Sequence, residues 1–383
     1  MKPEANKIVL DAVEAAIERG EVGLQVAAYL GDELVIDTWA GRADAESGAP
    51  VTGDTLFNVF SVTKGVTATA VHIQAERGLV DYDAPIVKYW PEFGQHGKDR
   101  LTVRDGLMHR TCIPSMPEGV TPELMCDWDW MTGRLASAEP AYPPGTKSPY
   151  HGYTWGWVNA MVVQGSDPRK RPFRDFVQQE IFEPLDVPEF YLGIPDEVES
   201  RIATLINVVP QVAAVIPQVA AASIPPSVGT TREVYEHPVV RRSCLPGMGA
   251  ITNARNCARF WALHANAGTF NGARLLSKER VLSLSKPRPP VEGDEFDAGN
   301  ISIGGFWIDA PRGQSTMASK ELIGHNPHVI SHPGAGMSIG WADPDTGLAA
   351  AICHNRMYSV RDTAQDPLIP VGQAIRAALS VPG

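Results

Sequence analysis

Ser61-Val62-Thr63-Lys64 is the segment with the clearest chemical potential. If this tetrapeptide opens a helix, one turn brings the lysine amine onto the same face as the serine hydroxyl. A buried lysine beside a serine can lose its charge and take the serine's proton, which makes Ser61 a candidate covalent nucleophile. A Ser-x-x-Lys match alone is weak, because Ser283-Leu284-Ser285-Lys286 also fits. Pro287 follows that copy and works against helical geometry at Lys286. The Ser61 copy instead follows Phe57, Val59 and Phe60 and leads into an uninterrupted helical pattern. There the helix dipole helps to stabilise developing negative charge.

Two further segments carry chemistry. Residues 143–157 form a Pro- and Gly-rich stretch that can aim a tyrosine inward, with Tyr142, Tyr150 and Tyr153 all candidates. A phenol near a lysine ammonium can be held as phenolate and act as a general base. Ser331-His332-Pro333-Gly334-Ala335-Gly336 is rich in small residues, which let a backbone N–H approach a substrate oxygen. The N–H groups of Ser61 and Ala335 could together form an oxyanion hole. No H-E-x-x-H pattern appears, and His325, His328 and His332 read as a loop, so no metal is expected. No phosphate-binding glycine loop is apparent either, and no cofactor is implied.

The elements that position these groups follow from periodicity. Residues 4–19 have helical spacing, and 24–30 and 34–39 read as strands around a Gly31-Asp32 turn. A helix is expected over 62–77, closed by Gly78. Strands over 337–341 and 348–353 flank a turn at 343–347, and a last helix is expected over 364–379. Strands therefore cluster at both chain ends, with a helix-, Pro- and Trp-rich region between them. The expected architecture is α/β, with an antiparallel sheet from both ends flanked by helices. Residues 1–80 and 241–383 form the sheet domain, and 81–240 form a mostly helical insertion.

The 383 residues carry 33 Lys and Arg against 44 Asp and Glu, a net charge of −11, which argues against a nucleic-acid partner. The N-terminus lacks an apolar signal core, and the five cysteines (Cys112, Cys126, Cys244, Cys257 and Cys353) form no C-x-x-C pair. Reduced thiols in a cytoplasmic protein are the expectation. Residues 205–231 lack charge, and Pro210-Gln211-Val212-Ala213-Ala214 recurs as Pro217-Gln218-Val219-Ala220-Ala221. The prolines Pro210, Pro217, Pro225 and Pro226 disfavour a membrane span, leaving a buried loop or a flap over an apolar pocket. The sequence carries no signature of oligomeric state.

The three chemical segments occur in the order and spacing of the serine β-lactamase-like hydrolases. The chain most resembles the family VIII carboxylesterases, relatives of class C β-lactamases and D-alanyl-D-alanine carboxypeptidases. The resemblance spans residues 15–360. It rests on Phe57-Asn58-Val59-Phe60-Ser61-Val62-Thr63-Lys64, Tyr89-Trp90-Pro91-Glu92-Phe93, the run from Leu101 to Arg110, Asp127-Trp128-Asp129, Pro144-Gly145-Thr146 with Tyr150-His151, and Asp343-Pro344 with Asn355-Arg356-Met357. It implies the β-lactamase/penicillin-binding-protein-like fold, Ser61 as nucleophile and Lys64 as its proton acceptor or electrostatic partner. It selects Tyr150, the first position of a Tyr-x-Asn motif, and sets His332-Pro333-Gly334 in the place of a Lys-Thr-Gly motif.

Two departures bear on substrate. The Asn of Tyr-x-Asn is Gly152, removing an amide that holds the carbonyl of peptide-like substrates in the family. His332 and Pro333 stand where a lysine and a hydroxyl residue often recognise a carboxylate. Both favour a small neutral ester, with His332, Gly334, Gly152, Trp155 and Trp307 expected around it. Trp128, Trp130, Trp157 and Trp341 add to the suggestion of an aromatic or apolar pocket. Cys112 occupies a position where the family commonly has glycine. The expected activity is a serine carboxylesterase that hydrolyses small neutral or apolar carboxylic esters through an acyl-enzyme on Ser61. The competing readings are an acyltransferase to an alcohol or amine, a β-lactam or D-amino-acid peptide hydrolase, and a sensor protein acylated once without turnover.

Overall fold

The computed structural model describes residues 1–207, 223–291, 300–309, 318–358 and 362–382. The expectation of a flap falls largely on 208–222, outside the described residues. The N-terminal helix α1 (Pro3–Glu18) leads into a hairpin of β1 (Gly23–Leu30) and β2 (Glu33–Gly41). Strand β3 (Phe57–Phe60) turns into helix α2 (Thr63–Glu76), close to the expected bounds. The middle region contains α3 (Val103–Leu107), α4 (Pro122–Cys126), α5 (Trp128–Ser137), α6 (Thr154–Ser166), β4 (Phe190–Leu192) and β5 (Ile206–Asn207). After β6 (Ala250–Thr252) and the helix Ala254–Ala265 comes a small hairpin, β7 (Thr269–Phe270) and β8 (Ala273–Arg274). The chain closes with β9 (Ile330–Pro333), β10 (Ile339–Asp343), β11 (Leu348–His354), β12 (Arg356–Met357) and the helix Ile369–Leu379.

Both chain ends build the main sheet, in the order β2-β1-β11-β10-β9 with every neighbouring pair antiparallel. Its period-two pattern separates two cores. Leu24, Val26, Ala28, Ala350 and Ile352 face one side, with α1 and the C-terminal helix, while Ala27, Tyr29, Ala349 and Ala351 face the other, with the helix Ala254–Ala265. Helices cover both faces, so alternation marks which side a residue faces rather than whether it is buried. Helix α2 is buried from Thr63 to Ala75, as befits a helix in the middle of a core rather than on its surface. A second sheet, β3-β6-β4, joins the nucleophile segment to a strand from each of two distant regions.

Two boundaries differ from the periodic reading. The strand expected at 337 begins at Ile339, because Ala335–Met337 forms a one-turn 3-10 segment with Gly336 at φ 80° and Met337 at φ 94°. The last helix begins at Ile369 rather than 364. Asp362 caps a separate short turn, Thr363–Gln365, and Pro370 sits in the first turn of the later helix, where its missing N–H costs nothing.

Candidate active site

Ser61 lies on the sharp turn between β3 and α2. Phe60 just before it has φ 47°, a left-handed conformation that is strained for an aromatic residue and costs about 1–3 kcal/mol. The surroundings hold the turn in place. Phe60 packs edge-on against Tyr235 with ring centroids 4.7 Å apart. The Thr63 hydroxyl donates to the Phe60 carbonyl and accepts the Ala250 N–H at 3.0 Å, tying the turn to β6. Ser61 remains partly exposed, while Lys64, one turn into the helix, is wholly buried.

The Lys64 amine is held at three points. It lies 2.7 Å from the Gly152 carbonyl, 2.7 Å from the Gly247 carbonyl and 3.1 Å from Ser61 Oγ. Burial with no carboxylate against it pushes its pKa well below the usual lysine value. A neutral amine matches this environment. In that form two N–H bonds suffice for the two carbonyls, which frees the lone pair to take the Ser61 proton during reaction. The carbonyl of Gly247 reaches Lys64 because α6 lies directly on residues 246–247. A Cβ at Gly156 would fall 2.3 Å from the Gly247 nitrogen, so only glycine permits that approach.

Tyr150 is brought to the same place, whereas Tyr153 is bonded away from it, to Thr230 at 3.0 Å and Tyr235 at 3.0 Å. The Tyr150 side chain shares a hydrogen bond with Ser61, and its ring centroid is 5.2 Å from the Lys64 amine. Burial raises its pKa above the ordinary tyrosine value, and the Ser61 bond offsets this only in part. Both shifts run against the phenolate-and-ammonium arrangement considered from sequence. Burial of the two polar groups with no counter-charge beside them disfavours both ions.

His109, which the sequence reading left within a family-like stretch without a role, supports Tyr150. It adopts φ 61°, is wholly buried, and lies 4.6 Å from the Tyr150 ring and 5.5 Å from the Trp155 ring. Its Nδ1 accepts the His151 N–H at 3.0 Å, which fixes the loop carrying Tyr150. Burial, then the nearby His151, Arg288, Lys64 and His332, holds its pKa well below the usual histidine value. Cys112 has φ 63°, which accounts for the preference for glycine there, and its thiol is pushed up to about 11, chiefly by burial.

Strand β9 supplies the opposite wall. Ile330 belongs to the core around α2, and His332, two residues on, shares that face of the sheet. The His332 ring is buried, and its Nδ1–H donates to the Pro333 carbonyl at 2.9 Å. Burial pushes its pKa well below the usual histidine value. Gly334 abuts the nucleophile strand so closely that a Cβ would lie 2.2 Å from the Val59 carbonyl oxygen. This contact brings Ala335 to the end of β3. Among the described residues neither the Ser61 nor the Ala335 N–H donates to a backbone carbonyl, so both amides are available to an oxyanion. Trp307 packs between Tyr150 (5.7 Å) and His332 (6.5 Å). Trp155 is buried behind His109 with its indole N–H on the Leu107 carbonyl at 3.1 Å, so it backs the site rather than lining it. The carbonyl grips on Lys64 had no signal in the sequence, because backbone oxygens carry no residue type.

The geometry agrees with comparisons to known proteins. The Beta-lactamase family model matches residues 9–372. The chain is 35% identical over 361 residues to the esterase/beta-lactamase LipL of Mycobacterium tuberculosis, covering 88% of this chain and 78% of that protein. Among solved structures, a family VIII carboxylesterase superposes with a TM-score of 0.83 at 27% identity, covering 98% of this chain and 97% of that one. A penicillin-binding protein homologue from Caulobacter crescentus gives a TM-score of 0.82 at 25% identity, covering 99% and 98%. With a family match over nearly its whole length and its chemical segments gathered at the head of α2, the chain belongs to the beta-lactamase family of serine hydrolases.

Proposed function

We propose that the protein is a serine carboxylesterase that hydrolyses small neutral esters. Ser61 Oγ attacks the acyl carbonyl carbon and passes its proton to Lys64. The Ser61 and Ala335 amides hold the resulting oxyanion. The tetrahedral intermediate then collapses. The bond to the leaving oxygen breaks, and that oxygen takes the proton through the Tyr150 hydroxyl. Water attacks the acyl-enzyme by the same route in reverse, releasing the acid and restoring Ser61. The three-point grip on the buried Lys64 amine is the observation that carries this reading, since it fixes that amine beside the one hydroxyl it would deprotonate.

The preference for a neutral ester rests on two residues. Gly152 offers no side chain to pair with an amide, and the neutral His332 offers no cation to a carboxylate. An amide group left unpaired in such a site costs about 1–3 kcal/mol. The protein should therefore turn over p-nitrophenyl butyrate with kcat/KM at least ~100-fold above that for a chromogenic cephalosporin. A cephalosporin rate equal to or above the ester rate would contradict the reading. Residues 1–80 with 241–383 then act as the sheet unit and 81–240 as an insertion, supported by a main sheet drawn, among the described residues, from 23–41 and 330–354. A cytoplasmic setting is supported by five free thiols. Among the described residues no helix is long and apolar enough to cross a membrane.

A further inference from the structure

Gly152 is buried, and its carbonyl is fixed on the Lys64 amine at 2.7 Å. A Cβ at this position would lie 2.9 Å from Ile224 Cδ1 and 3.7 Å from Ile224 Cγ1, with no other described residue beyond its own chain neighbours within 4 Å. The space beside the glycine thus belongs to one aliphatic side chain from a distant part of the chain. The backbone around Ile224 is anchored on both sides. The Ser223 carbonyl accepts the Met116 N–H at 2.8 Å, Ser227 Oγ donates to the Val120 carbonyl at 2.7 Å, and the Thr230 hydroxyl meets Tyr153 at 3.0 Å. Ile224 is packed against the main core yet keeps part of its surface exposed.

We infer that Ile224 is a specificity-determining residue and that its methyl end forms an apolar wall against which a hydrocarbon chain of the ester lies. A polar side chain at position 152 would demand a hydrogen-bonding group on the substrate. An isoleucine in that space rewards the opposite, since each methylene buried against it favours binding and an unpaired polar group is penalised. This rests on the ester-hydrolase reading and names the class of ester it prefers: one with an apolar chain whose length is limited by Ile224.

The test compares wild type, Ile224→Val, Ile224→Ala and Ile224→Asn on two series. One is p-nitrophenyl esters from acetate to octanoate, and the other is acetate esters of linear alcohols from methyl to octyl. Ile224→Ala should move the kcat/KM optimum to longer chains, and Ile224→Val, which lacks only Cδ1, should move it less in the same direction. Ile224→Asn should lower kcat/KM for the best wild-type ester by roughly 10- to 100-fold. A shift in the first series places the chain on the acyl side, and a shift in the second places it on the alcohol side. Unchanged profiles in both series with turnover intact would overturn the wall alone. Absence of ester turnover in wild type would overturn the hydrolase reading and the wall with it. Ile224→Val keeps the test valid if Ile224→Ala fails to fold.

Discussion

Ser61→Ala should lower kcat for p-nitrophenyl butyrate by about 10⁴- to 10⁶-fold while leaving the circular dichroism spectrum unchanged. The size follows from the chemistry. Without Oγ there is no acyl-enzyme, so water would have to attack the ester directly, and only the oxyanion amides and binding would still assist. The substitution removes one hydroxyl from a partly exposed turn, and the strained Phe60 and the Thr63 tie to β6 are untouched. The fold should therefore persist. Ser61→Ala within tenfold of wild type would show that another residue carries the reaction.

Lys64→Arg and Lys64→Met should both lower kcat by about 10³- to 10⁴-fold, in steady-state assays at pH 7 to 9. The arginine variant is the decisive one. Guanidinium keeps the positive charge but cannot release its proton in a protein, so it cannot act as a base. If Lys64 served only as a fixed charge, Lys64→Arg would retain a substantial rate. The pH profile gives a second view of the same group. Only the uncharged amine accepts the Ser61 proton. Because burial places the Lys64 pKa well below the usual lysine value, the active form is already reached well short of pH 10. Activity should fall about tenfold per pH unit as pH drops below that depressed pKa. His109 and His332 are held uncharged by burial, so neither adds a limb near the ordinary histidine value.

Much of this site could be read from residue types. Ser61 and Lys64 declared themselves by spacing plus the apolar strand before them and the helix after, which set them apart from Ser283 and Lys286. The hairpin at each chain end followed from alternation and turn residues, and those strands do lie side by side in one sheet. Choosing Tyr150 among three tyrosines required the family resemblance, because sequence alone does not show that Tyr153 is spent on Thr230 and Tyr235. Three features were out of reach. The carbonyls of Gly152 and Gly247 are identical to every other peptide oxygen. The pKa values of Lys64 and Tyr150 depend on how far each group is buried, and both shifts run against the phenolate arrangement. Ile224 meets Gly152 only through the tertiary fold, across 72 positions in the sequence numbering.

The most direct test of the acyl-enzyme is rapid acid quenching of wild type with p-nitrophenyl butyrate within the first turnover, followed by mass spectrometry of the intact protein and its peptides. The account predicts one butyryl group per chain on the peptide containing Ser61, appearing with the first equivalent of p-nitrophenol. A stoichiometric p-nitrophenol burst with the butyryl group on another residue, or with no butyryl group on the protein, would contradict it.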